Sequence, residues 1–377
     1  MQPGPPNDSA CDGFLPAHGP PSRGPGVDHE RIVGADTEPG NWLSHGRTYA
    51  EERYSPLTQI NPETVDDLGL AWAFDLETQR GLEATPLAID GILYFTGTWS
   101  VVYAVDGASG KLLWRHDPQV PRKVARKVCC DVVNRGVAAW RDKIFVGPLD
   151  GRLIALHARD GRVAWSTMTV NPEEPYTITG APRVIRGKVI IGNGGAEYGV
   201  RGYVDAYDAE TGGRLWRFHT VPGNPADGFE NSTMERIAET WNGEYVWHYQ
   251  VVPAETWDYT ATQHMILAEI EWKGRLRKVL MQANSSRVRL VAWDPRAQEA
   301  AWQAPYPLAW NGGVLATAGG LVFQGSGDGA FHAYASRDGE RLWSFSTQTG
   351  VIPAPITYRA PGEQYVAILA GWGAPLD

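Results

Sequence analysis

Residues 127–136, KVCCDVVNRG, set Cys129 beside Cys130 in a chain with one other cysteine, Cys11. Thiolates that share a metal ion are usually spaced by two or more residues so that both reach it, and adjacent cysteines do this poorly. Two neighbouring thiols can instead close into a small strained ring, more easily reduced than an ordinary disulfide because its geometry is distorted. A pair of buried free thiols is the competing reading, and this decapeptide alone does not separate the two. Other signals are sparse. The 9 histidines are scattered without i, i+4 spacing, which argues against an imidazole metal centre. No G-x-G-x-x-G follows a strand and opens a helix, so nicotinamide binding has no support. GSGDG at 325–329 reads as a hairpin turn rather than a phosphate loop.

The elements that must position such groups follow from composition. With 43% apolar residues the 377-residue chain can bury a proper core, and a net charge of -9 argues against the basic footprint of a nucleic-acid binder. No apolar run approaches the roughly 20 residues that span a bilayer. The unusual counts are Gly 43, Pro 27 and Trp 16, the profile of short strands joined by tight turns. Residues 1–32 are expected to form a disordered Pro/Gly-rich tail without the basic and apolar regions of a signal peptide, and 33–377 a single domain. Cys11, in that tail, reads as a spare exposed thiol.

An internal repeat organises the domain. YAVDGASGKLLWRHD from 103, IALHARDGRVAWSTM from 154, VDAYDAETGGRLWRFHT from 204 and FHAYASRDGERLWSFST from 331 share a small residue, a turn with Asp or Ser, Gly and then Trp. GEYVWHYQ and LVAWDPRAQEAAWQ are weaker copies. Each reads as a strand, a turn and a second strand whose Trp packs inward, and about four such strands make one propeller blade. Trp114, Trp165, Trp216, Trp247, Trp302 and Trp343 close the repeats, and Trp72 is expected on a strand that closes the ring. The step from Trp216 to Trp247 is too short for a full blade. An all-β propeller with six or seven blades is therefore expected, irregular near 238–250 and 283–292.

The repeats, the cysteine pair and the strings EPGNWLSHGRTY, GLEATPL, VCCDVVNRGVA, GNGGAEYGVRG, ETWDYTATQ and WNGGVLATAGGLVFQG together resemble the quinoprotein alcohol dehydrogenases, eight-bladed periplasmic propellers that use pyrroloquinoline quinone (PQQ) and calcium. The resemblance implies that Cys129 and Cys130 form a vicinal disulfide against one face of the quinone. It implies that Arg135 reaches a quinone oxygen, that Glu83 is a polar contact and that Thr179, Gly195 and Ala196 bind the quinone carboxylates. Glu197 matches the calcium carboxylate, Asp258 the catalytic base that also meets the metal, and Trp310 and Asn311 a cofactor-contacting pair. Oxygen ligands suit a hard cation, and Arg suits a carboxylate-bearing cofactor. Taken singly, Glu197 and Asp258 would more often be turn or surface carboxylates and Arg135 a solvated side chain.

The chain departs from the family between MERIAETW and NGEYVWHYQ, where most of one blade is absent with its stacking Trp and a calcium-ligating Asn. After KVLMQA the expected Lys is also absent, and Arg287 or Arg289 cannot be carried over in its place. No C-x-x-C-H occurs, so no attached haem is expected in this chain. The resemblance implies oxidation of a small alcohol in the periplasm, with electrons passed to a separate cytochrome c. A catalytically inactive propeller serving as a binding or assembly scaffold is the alternative. A PQQ sugar dehydrogenase fits the vicinal cysteines and DYTATQ less well.

Overall fold

The computed structural model describes residues 26–372, apart from 129–130, 196–197, 224–225, 227, 240–264, 273, 285–288 and 309–310. After α1 (His29–Val33) and the two-residue β1 (Tyr54–Ser55), the chain folds hairpin upon hairpin. Blade 1 is β2 (Leu87–Ile89), β3 (Ile92–Thr96), β4 (Val102–Asp106) and β5 (Leu112–His116). Blade 2 is β6 (Ala138–Trp140), β7 (Lys143–Val146), β8 (Arg152–His157) and β9 (Val163–Met168). Blade 3 is β10 (Arg183–Ile185), β11 (Lys188–Gly192), β12 (Tyr203–Asp208) and β13 (Arg214–His219), followed by α2 (Ser232–Glu239). Blade 4 is β14 (Ile266–Trp272), β15 (Arg275–Asn284), β16 (Arg289–Asp294) and β17 (Glu299–Pro305). Blade 5 is β18 (Asn311–Thr317), β19 (Leu321–Ser326), β20 (Ala330–Ala335) and β21 (Arg341–Ser346), and β1 joins it in parallel through Tyr54 opposite Ala316. A sixth sheet has two strands, β22 (Ile356–Ala360) and β23 (Glu363–Ala367).

The repeat works as an interlock between neighbouring blades. Across the ladder Trp114 faces Ala104, Trp165 faces Ala155, Trp216 faces Ala206, Trp302 faces Ala292 and Trp343 faces Ala333, and a register shift follows each alanine. Such a bulge bends its strand and increases the local twist. The indole N–H then reaches a carbonyl in the next blade's turn: Trp72 to Gly107 O at 3.1 Å, Trp114 to Ala158 O at 2.8 Å, Trp165 to Ala209 O at 3.1 Å and Trp302 to Ser336 O at 2.8 Å. The rings lie on glycines. A Cβ on Gly110, Gly161, Gly212 or Gly339 would come within 2.4–2.6 Å of the incoming indole. All four have φ between +69° and +76°, a region that side chains other than hydrogen strongly disfavour.

Burial follows the same order. One apolar cluster runs through blades 5, 6, 1 and 2, a second joins blades 2 and 3, and a third joins blades 4 and 5. Among the described residues no buried apolar cluster joins blade 3 to blade 4.

Several expectations are corrected. The tail does not stay disordered to residue 32: Val27 and Ile32 are each 1% exposed, and Val27 bridges to Arg141. Apolar side chains at those two places override a local composition that favours disorder. Trp72 docks as expected but lies on no strand, because residues 68–76 are extended without ladder pairing. Of the stretch 283–292, expected to be irregular, the ladder runs to Asn284 opposite Arg289, residues 285–288 lie outside the described residues, and a register shift follows Ala292. The described residues hold six sheets, in keeping with an all-β propeller of fewer than eight blades: four of four strands, one of five because β1 joins blade 5, and one of two. Trp247 and most of 238–250 lie outside them.

Candidate functional site

Three loops bring predicted residues together where blades 1 to 3 begin. Glu83 precedes β2, Arg135 precedes β6 and Thr179 precedes β10, so each stands at the same stage of its blade. The Arg135 guanidinium meets Glu83 Oε2 at 2.7 Å and donates from Nη1 to Thr179 Oγ1 at 2.8 Å. The backbone repeats the link: Arg135 N–H donates to Thr179 O at 2.9 Å, and Thr85 N–H donates to Arg135 O at 3.2 Å. Gly195 stands beside this group, since Gly194 and Thr177 form a two-way bridge. At Gly195 φ is +111°, and a Cβ would lie 2.5 Å from Pro175 O, so the chain passes there only as glycine.

Burial pushes the Glu83 carboxyl above its ordinary range, and the Arg135 charge and hydrogen bond offset only part of that push. Asp131 pushes in the same direction as burial. Asp131 is itself ion-paired with Arg80.

Asn134 holds Arg135 in place, and the sequence reading did not single it out. It is 2% exposed. Its Oδ1 accepts from Thr96 Oγ1 at 2.9 Å and from Gly136 N–H at 3.1 Å, while Nδ2 donates to Gly147 O at 2.9 Å and Ser100 Oγ at 3.2 Å. One amide therefore ties its own loop to blades 1 and 2. At Gly136 φ is +128° and a Cβ would lie 2.8 Å from Thr85 O, which explains the glycine after Arg135. The only hint in the sequence is a polar Asn between buried Val133 and the Arg-Gly pair. Trp99 also supports the loop: its N–H donates to Val132 O at 2.9 Å, and the Arg122 guanidinium lies 4.0 Å over its ring.

Of the other predicted residues, Asn311 opens β18 with its backbone opposite Ser326. Cys129, Cys130, Ala196, Glu197, Asp258 and Trp310 lie outside the described residues. Among the described residues no three His, Cys, Asp or Glu side chains gather as a metal site. Arg289, considered near the absent Lys, is on β16 and donates to Gln303 Oε1 at 2.5 Å.

Comparison with known proteins fits this arrangement. Residues 42–242 and 289–366 match the family described as glucose/ethanol/alcohol dehydrogenase, β-propeller domain (PQQ). The chain belongs to this family. Quinohemoprotein alcohol dehydrogenase ADH IIB of Pseudomonas putida is 40% identical over 92% of this chain and 76% of the relative. The quinohemoprotein alcohol dehydrogenase of Comamonas testosteroni is 35% identical over 92% of this chain and 75% of its own. The solved structure of ADHIIG from Pseudomonas putida superposes with a TM-score of 0.80 at 38% identity, covering 92% of this chain and 78% of that one. A europium-containing methanol dehydrogenase at 23% identity and a TM-score of 0.74 shares the fold. The alignment to ADH IIB runs over 522 positions, more than the 377 residues present here, so the relative carries internal segments without a counterpart in this PQQ-family chain.

Proposed function

We propose that this member of the PQQ-dependent alcohol dehydrogenase family oxidises small alcohols with bound PQQ and calcium and passes the electrons to a separate cytochrome c. The observation that carries the reading is the direct contact of Arg135 with both Glu83 and Thr179. A guanidinium and a hydroxyl, held by a half-buried carboxylate, form a donor set that suits a ring bearing carboxylates and quinone oxygens. Gly195, where a Cβ has no room, gives such a ring close access to backbone N–H groups. The described residues therefore fit the cofactor.

When bound, the quinone supplies the acceptor for the hydride that leaves the alcohol carbon. Asp258 takes the alcohol proton as the C–H bond breaks, leaving the aldehyde or ketone. Glu197 and Asp258 would hold the calcium, which would supply Lewis-acid polarisation of the quinone. Arg135 would stabilise charge on a quinone oxygen, and Thr179 and Ala196 would bind the cofactor carboxylates. Cys129 and Cys130 would lie against the quinone as a vicinal disulfide, and Trp310 and Asn311 would contact the cofactor. The periplasm suits that disulfide. Among the described residues no helix is long and apolar enough to cross a membrane.

The test is titration of the purified chain with PQQ in the presence of calcium, followed by dye reduction with ethanol and longer alcohols. Saturable cofactor binding and turnover that Asp258→Ala abolishes are expected. Intact-mass analysis with and without reductant should show the Cys129–Cys130 bond as a two-proton difference.

A second reading, a propeller that binds or assembles without catalysis, is favoured by one observation. The family match breaks between residues 242 and 289, a stretch that follows blade 3 and holds β14 and β15 of blade 4, and no described apolar cluster joins those two blades. Failure to bind PQQ by an otherwise folded chain would select this reading.

A further inference from the structure

Arg47 and Arg53 are six positions apart and each is 2% exposed, yet their charges are balanced differently. Arg47 donates from Nη1 to Asp36 Oδ1 at 2.7 Å and from Nη2 to Ala35 O at 2.8 Å. Among the described residues Arg53 has no hydrogen-bonded carboxylate partner. Its Nη2 donates to Thr85 Oγ1 and meets His45 Nε2, both at 2.9 Å, while Nε and Nη1 have no hydrogen-bond partner among the described residues. Glu51, whose charge reaches Arg53, is held by Arg183, with Nη2 on Oε2 at 2.9 Å. Arg183 in turn adds a like charge to the same neighbourhood.

An isolated buried guanidinium is strongly unfavourable unless a counter-charge accompanies it. Losing the proton does not resolve this. Burial pulls Arg53 down only to about 10, which leaves it charged at neutral pH. Its position is fixed from two sides: the Arg53 carbonyl accepts from Ala316 N–H of blade 5 at 3.2 Å, and its side chain reaches Thr85 at the start of blade 1. The residue just before β1 thus carries a buried cation whose nearest charge support, Glu51, is shared with Arg183.

We propose that Arg53 holds a small monovalent anion, of the size and charge of a halide, at the donors that the protein leaves open. The 2% exposure of the side chain excludes a large ligand. His45, which contacts Arg53, also lines a cavity of about 270 Å³ with Glu51, Ala138 and Arg183, and this is the route by which the anion arrives. The proposal is independent of the PQQ reading, since it concerns the entry strand and not the Glu83–Arg135–Thr179 group.

The test uses the full chain without cofactor. Thermal midpoints are measured at constant ionic strength in mixtures of potassium bromide and potassium gluconate, and bromide-soaked crystals are examined for anomalous scattering. A saturable rise with bromide that Arg53→Gln removes, and an anomalous peak against Nε or Nη1, are expected. If Arg53→Gln does not fold, the wild-type titration and the peak decide alone. Equal midpoints in the two salts, a rise that never saturates, or ordered water alone against Arg53 in the soaked crystals would each overturn the proposal.

Discussion

Trp165 and Trp216 occupy the same place in consecutive blades, each opposite an alanine that a bulge follows, yet only one of them is docked. Trp165 donates to Ala209 O and rests on Gly212 of blade 3. Trp216 is 42% exposed, and its neighbours on β13, Leu215 and Phe218, are exposed as well. Blade 4 shows the complementary change: Gln298, with φ of +54°, stands four residues before Trp302, where the other blades place Gly110, Gly161, Gly212 and Gly339. The difference teaches that the Trp in this repeat is not a core residue of its own blade. It is half of a joint, and the other half is the next blade's turn.

The comparison breaks most easily at the tryptophans themselves. Trp114→Ala should destabilise the chain by about 3–5 kcal/mol, the range for deleting a large buried aromatic, while Trp216→Ala should cost less than about 1 kcal/mol. Paired denaturant melts measure both, and similar losses would mean that Trp216 is docked after all. The turn side comes next. Gly161→Val combines a left-handed backbone with a Cβ 2.5 Å from the Trp114 ring, so a loss of about 2–4 kcal/mol is expected. Gln298→Gly, which has no described indole to receive, should change the melt little.

Asn134→Ala carries the contrast into the site loop. Leaving Gly147 O and the Gly136 N–H without partners should cost about 1–3 kcal/mol. It should also weaken PQQ binding, whereas Trp216→Ala should leave binding unchanged.

The smallest effect is electrostatic. Glu83 has a folded-state value above its unfolded one, so the folded chain binds more protons and stability falls as pH rises through that window. Above the window the penalty is complete. Arg135→Gln removes the offsetting charge, so it should raise the Glu83 carboxyl further and steepen the fall by about 1 kcal/mol or less. Carboxyl-carbon NMR titration checks the direction, and a lowered Glu83 would sink the account.

Much of this was legible along the chain. The Ala, Gly and Trp spacing is local, because a hairpin must place its bulge and turn within a few residues, and it marked five of the blades before any contact was known. Glu83, Arg135 and Thr179 were reached through family strings, and the structure joins them. Asn134 was missed because three of its four partners, Thr96, Ser100 and Gly147, lie on other segments and leave no mark in VVNRG. Trp72 was placed on a strand that closes the ring, and the fold instead leaves its segment without ladder pairing, so that the ring alone docks.

The sequence by itself determined the all-β class, the blade unit and the residue types at the joints, because these depend on periodicities of two and on turn chemistry within one hairpin. Only the tertiary structure decided which joints are made. Trp165 and Trp216 have equivalent local surroundings in the sequence, and their fates diverge because docking depends on a carbonyl and a glycine in the next blade. Arg53 teaches the same lesson for charge: its string does not show whether a carboxylate will meet it, since a counter-charge is supplied through space, by whatever segment the closed fold packs against it.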